Sequence, residues 1–127
     1  MGMKKLILLL FFFLFSSCAN LPPTVLNSAL TSSFNHMRYV SGQSNLTFKY
    51  NNKHKLYYGN CVAYAKYHYY YLSNNNVKEM QFKYCYTERN TYHMILKVTL
   101  STNVYYLDNR YHFPMTEKDL LNKGYQF

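Results

Sequence analysis

Gly59-Asn60-Cys61-Val62-Ala63-Tyr64-Ala65-Lys66-Tyr67 is the stretch on which the fold turns. Gly59-Asn60 punctuates the chain, and Asn60 is a good N-cap for a helix starting at Cys61. From Cys61 to Leu72 the pattern is helical: Cys61, Ala65, His68 and Leu72 share a narrow arc at spacings of four, three and four. Tyr64 and Tyr69 flank that arc, while Ala63, Lys66 and Tyr70 are expected to point away. SNNN at 73–76 ends the helix. Cys61 thus opens a helix, where free N–H groups and the positive end of the dipole favour an anion. Such a position lowers a thiol pKa and raises the thiolate fraction a nucleophile needs. Ala65, one turn on, leaves room beside the sulfur.

Downstream, segments 80–87, 92–100 and 103–109 read as strands, β-branched and aromatic with alternation. In the second, Met94, Leu96, Val98 and Leu100 make one apolar face; His93, Ile95, Lys97 and Thr99 make the other. A two-residue loop at Ser101-Thr102 would set Ile95 opposite Asp108, with His93 the diagonal neighbour on the same face. A register tighter by one pair would set His93 directly opposite Asp108, and a three-residue loop would separate the two. A nucleophilic Cys needs an imidazole to take its proton and later protonate the leaving group. An aspartate bonded to the other ring nitrogen fixes the tautomer. Plainer readings stand beside these. Cys61 could be an inert buried thiol or pair with Cys85. His93 could be structural, and Asp108-Asn109 could simply start a turn. Cys85 is assigned no role.

Upstream, Val25, Ala29, Leu30, Phe34 and Met37 recur at helical spacing, predicting a helix over 25–37. Residues 43–55, rich in Asn, Ser and Lys, are expected to be loop or irregular turns. Thr116-Glu117-Lys118-Asp119 is an N-cap with early acids opening a short helix. The order helix, helix, antiparallel strands predicts an α+β domain with helices packed on a small sheet.

Two lysines, then the unbroken apolar run Leu6 to Phe15, then Ser16-Ser17-Cys18 have the layout of an export signal. About 20 apolar residues are needed to span a bilayer, so the run is too short. LFSSC resembles a bacterial lipobox, which implies lipid attachment at Cys18 and a signal peptide over 1–17. Ala19 after that cysteine does not signal inner-membrane retention. Residues 18–24 read as a linker, with Pro22-Pro23 extended, and 25–127 as the domain. An envelope location, lipid-anchored and on the outer membrane, is expected.

The 127-residue chain carries 14 Lys+Arg against 5 Asp+Glu, a net charge of +9. Without Lys4 and Lys5 the exported part keeps 12 basic residues against 5 acidic, or +7. One domain is all this length accommodates, and 20% aromatic residues exclude a wholly disordered chain. An exported lipoprotein does not normally meet nucleic acid, so the charge is expected to face anionic lipid, polysaccharide or an acidic protein. Absence of salt-dependent DNA binding would remove the nucleic-acid reading. His36, His54 and His112 are scattered without metal-ligand spacing, so zinc is not expected. His68 lies two turns from Cys61, about 10 Å along the helix at 1.5 Å per residue, and reads as a core histidine. The sequence leaves oligomeric state open.

Three blocks in order resemble the bacterial periplasmic transglutaminase-like cysteine peptidases. GNCVAYAKY resembles their (G)DCxDYA helix opening, YHMILKV their NHxVLxV histidine strand, and YYLDNR their LDN aspartate strand. SSFNHMRYVSGQ resembles the end of their N-terminal helix. The resemblance covers roughly Phe34 to Arg110. It implies a papain-like transglutaminase fold, with Cys61 as nucleophile, His93 as general base and acid, and Asp108 as orienter. It further implies cleavage of a protein substrate at the cell envelope, adhesins among the substrates, and no organic cofactor. An acyl transferase of transglutaminase type would use the same three residues, and a binding module could retain the fold without activity. Family members flank the cysteine with acids, some of which bind calcium; here those positions are Asn60, Val62 and Ala63. A calcium requirement is therefore not carried over, since hard cations want carboxylate oxygens. For an oxyanion hole the Cys61 N–H needs a second donor, with Asn35, Gln43 and Asn60 all open.

Overall fold

The computed structural model describes residues 23–43 and 49–127. The segment 1–17 expected to be a signal peptide and Cys18, the expected lipid-attachment residue, lie outside the described residues, as does most of the expected linker. Helix α1 (Thr24–His36) is followed by strands β1 (Met37–Tyr39), β2 (Lys49–Asn51) and β3 (Leu56–Gly59). Helix α2 (Cys61–Asn74) then leads to β4 (Met80–Tyr86), β5 (Tyr92–Leu100) and β6 (Asn103–Leu107), and the short α3 (Glu117–Asn122) comes last. The fold class is α+β, as the order of helical and alternating segments predicts.

α1 buries Leu26, Ala29, Leu30 and Ser33, a stripe at i, i+3, i+4 and i+7. The expected stripe is rotated: Phe34 is exposed and meets His112 edge-on at 4.5 Å between ring centroids. The cause is polar. Ser33 turns inward because its hydroxyl has two partners there, donating to Leu30 O (2.9 Å) and accepting from His68 Nε2 on α2 (2.7 Å). Met37 is not the last helical residue but the first of β1.

Residues 49–51, within the stretch expected to be loop, are a strand, and a second strand follows at 56–59. β1 runs parallel to β3 and β2 antiparallel to it, giving the order β1-β3-β2. This small sheet leads the chain into Gly59-Asn60 and so fixes where α2 begins. Asn60 caps α2 as expected, its Oδ1 accepting from the Val62 and Ala63 N–H groups at 3.1 and 3.4 Å. Ala63 does not point away; it is buried against Met37 and Tyr64. The helix runs past Leu72 to Asn74, and Asn76 closes its C-terminus with φ +65°.

The second sheet is an antiparallel meander, β4-β5-β6. Its helix-facing side supplies Leu96, Val98, Tyr105 and Leu107 to a core shared with Leu26, Leu30 and Leu72. The opposite side supplies Cys85, Ile95 and Tyr106 to a second core with Met115, Leu120 and Tyr125. The C-terminal segment covers that side. It bridges to β6 at Tyr106–Met115 and to β4 at Tyr86–Gln126, crossing the sheet between them. α3 lies within this strap, closed by a capping box between Thr116 and Asp119.

Candidate active site

Leu100 pairs with Asn103, and the ladder runs back to Leu96 opposite Leu107. The loop is therefore two residues, Ser101-Thr102. Ser101 takes φ +57°, as the first residue of a primed hairpin turn must. The next pair in this register is Ile95 with Asp108, which makes His93 the diagonal neighbour on the same face. The tighter register is excluded. His93 Nε2 donates to Asp108 Oδ1 at 2.8 Å, with both side chains buried. Asp108 also starts a turn, since the Arg110 N–H donates to the same Oδ1 at 3.0 Å. Turn and histidine partner are thus served by one carboxylate.

Cys61 stands at the first position of α2, where that helix reaches the start of β5. His93 and the backbone N–H groups of Met94 and Val62 lie near enough to its sulfur to favour the charged thiolate. Since Asp108 holds His93 Nε2, Nδ1 is the ring nitrogen left for the sulfur. Burial alone would raise the Cys61 pKa; the bonds from His93, Met94 and Val62 outweigh it and lower the thiol below its ordinary value. Burial alone would lower the His93 pKa, but the bonds to Asp108 and Cys61 push it up to about 9. Burial opposes ionisation of Asp108 as well, and its bond from His93 again prevails. The three shifts favour one arrangement, a thiolate beside an imidazolium beside a carboxylate, titrating as a coupled unit.

Cys61 and Cys85 are both free thiols, so no disulfide removes the sulfur. Cys85 lies opposite His93 across the β4–β5 ladder. Burial, then the Asp108 charge, push its thiol up to about 11, which leaves it protonated at neutral pH. His68 is the core histidine expected.

Several neighbours escaped sequence reasoning. Tyr125 Oη donates to Asp108 Oδ2 at 2.5 Å and accepts from Arg110 Nη1 at 3.0 Å. Arg110 is itself clamped by both oxygens of Glu88. A line of hydrogen bonds therefore runs His93–Asp108–Tyr125–Arg110–Glu88. Only Arg110, two residues past Asp108 in LDNR, carried a hint of this. Among the oxyanion candidates, Asn35 is exposed on α1. Gln43 lines a separate groove with Lys49 and Tyr50, and the Asn60 carbonyl oxygen is engaged as the cap.

The backbone is similar to that of LapG from Legionella pneumophila, solved in its calcium-bound form. The TM-score is 0.56 at 18% identity, over 80% of this chain and 63% of that one. The likeness establishes the papain-like, transglutaminase-like fold. The chain spans less than two thirds of the length of the protein it matches. No protein-family model matches the sequence, and no curated protein does.

The residues present do not fit a calcium site beside Cys61. Val62 and Ala63 bring no side-chain oxygen, and Asn60 Oδ1 faces two N–H donors. Among the described residues no three His, Cys, Asp or Glu side chains are grouped as metal ligands. None of the described helices is long and apolar enough to cross a membrane.

Proposed function

We propose that this chain is an envelope-anchored cysteine peptidase in which Cys61, His93 and Asp108 form the catalytic triad. The observation that carries the reading is the buried His93–Asp108 hydrogen bond, with Cys61 near enough to His93 for each to shift the other's pKa. The likeness of the fold to LapG, a bacterial cysteine peptidase, supports it. The thiolate adds to a peptide carbonyl, and the charge on oxygen is met by the Cys61 N–H at the start of α2. His93 gives its proton to the departing amine, and the C–N bond breaks to leave a thioester on Cys61. Neutral His93 then takes a proton from water, whose oxygen displaces the thiolate and releases the acid. Asp108 keeps the imidazole in one orientation through both steps. Attack by an amine instead of water would make the same centre an acyl transferase.

The test is labelling with an electrophilic thiol probe at pH 6–7, in the wild type, Cys61→Ala and His93→Ala. Labelling faster than a free thiol is expected at Cys61, falling at least a hundredfold in His93→Ala. Labelling at the rate of a free thiol would leave a binding module of the same fold. That second reading is favoured by Val62 and Ala63 standing where acids flank the cysteine in the resembled family. A lipid on Cys18, read from the mass of the membrane-extracted protein, tests the anchor.

A further inference from the structure

A cleft of about 340 Å³ opens beside His93. Tyr39, one of its walls, also feels the Cys61 charge. Whatever occupies the cleft sits beside the imidazole of the proposed triad. The cleft therefore takes a portion of a substrate close to the scissile bond.

Its lining is rich in donors and contains no carboxylate. Tyr39, Thr87, Thr91 and Asn109 line it together with two arginines, Arg89 and Arg110. These two cations differ. Arg110 is engaged by Glu88 and Tyr125, so its charge is largely spent. Arg89 is exposed and has no ion pair among the described residues. Glu88, its neighbour in the chain, has both carboxylate oxygens on Arg110. The Arg89 backbone is also held in position, because the connection from β4 to β5 is a closed loop. Thr87 N–H donates to Thr91 O at 3.0 Å, Asn90 N–H to Thr87 O at 2.8 Å, and Arg89 N–H to Thr87 Oγ1 at 3.3 Å. Asn90 makes the reversal with φ +56°.

We propose that this cleft is a substrate subsite for an acidic side chain, aspartate or glutamate, carried close to the scissile bond. Arg89 is its specificity-determining residue. A carboxylate there gains a guanidinium that no ion pair engages among the described residues, a bond of the charge-assisted kind. A cationic side chain would meet Arg89 as a like charge. The inference rests on the peptidase reading and adds a preference to it.

The experiment is cleavage of a randomised peptide library by the full chain, with products sequenced by mass spectrometry. Matched peptides bearing Glu, Gln or Lys at the enriched position then give the ratios of kcat/KM. The wild type is expected to favour Glu over Gln at least fivefold, and Gln over Lys. Arg89→Gln brings the Glu:Gln ratio to about one, Arg89→Lys retains most of it, and Arg89→Glu turns the preference toward Lys. Thermal melting of each variant accompanies the assay; the exposed loop position predicts melts close to wild type. Cleavage with the same Glu:Gln ratio in wild type and Arg89→Gln overturns the subsite and leaves the peptidase. No cleavage of any library member, with no rapid labelling of Cys61, overturns the peptidase and the subsite with it.

Discussion

Tyr125→Phe removes one oxygen atom and tests whether the C-terminal strap holds the site. Asp108 is 1% exposed, and its two oxygens are provided for separately. Oδ1 receives His93 Nε2 and the Arg110 N–H, while among the described residues the donor recorded for Oδ2 is the Tyr125 hydroxyl alone. Phenylalanine keeps the ring in the core formed with Ile95, Met115 and Leu120 but leaves a buried carboxylate oxygen without a donor. A hydrogen bond to a charged group contributes about 1.5–3 kcal/mol, and an orphaned buried acceptor loses a comparable amount. For a domain of this size that predicts a melting temperature lower by roughly 5–15 °C. Freed of its second tether, the carboxylate orients His93 less well. Thiol-probe labelling of Cys61 at pH 7 is expected to slow about tenfold, equivalent to about 1.4 kcal/mol. Melting followed by circular dichroism and labelling followed by intact mass give both numbers on one sample. A melt within about 2 °C of wild type, together with unchanged labelling, would refute the claim that the strap positions Asp108.

Other outcomes rest on the same geometry. His93 is protonated up to about pH 9, so activity should fall on the alkaline side near that value. Asp108→Asn removes the charge that holds the proton there and should move the limb to lower pH, as a kcat/KM profile will show. Burial lowers the His68 pKa to about 4, so the fold disfavours its charged form. Stability present above the ordinary value of 6.5 is then lost as pH falls toward 4, by about 3 kcal/mol. His68→Phe should flatten that stretch of the urea-denaturation profile, and an unchanged slope would count against it. Cys61 should be alkylated at pH 7 at least a hundredfold faster than Cys85, whose pKa is pushed up to about 11; peptide mapping distinguishes the two. EGTA should leave the labelling rate and the melting temperature unchanged, and recovery of either on adding calcium would expose a site that the residues beside Cys61 do not suggest.

What the sequence made legible was local. The two-residue loop at Ser101-Thr102 fixes the parity of every pair from Leu100 back to Ile95, and that parity places His93 and Asp108 on one face. Asn60 before an apolar arc identifies the start of α2, hence the dipole end under Cys61. The β1-β3-β2 sheet was not legible for physical reasons. β2 is three exposed residues, Lys49–Asn51, with no apolar alternation, and β1 pairs with β3 in parallel across a separation that no turn residue encodes. The stripe of α1 was misread at Ser33 because a serine enters the core only when a partner awaits it, and His68 is 35 positions away. Tyr125 is a further case of this kind. A tyrosine near the end of the chain resembles any other until the strap is seen crossing the sheet.

The shortage of acids ties these observations together. Of five carboxylates in 127 residues, Asp119 and Glu117 sit in the first turn of α3, Asp119 within the capping box. Glu88 clamps Arg110. Asp108 is bonded to His93, Tyr125 and the turn at Arg110. Only Glu79 remains, and it lines a separate groove with Lys97. No carboxylate is therefore left to gather around Cys61, and none is left to pair with Arg89. The absence of acids from the Cys61 surroundings and the surplus of positive charge in the cleft have one cause. Installing acid at the Arg89 loop should accordingly change which peptide is cut.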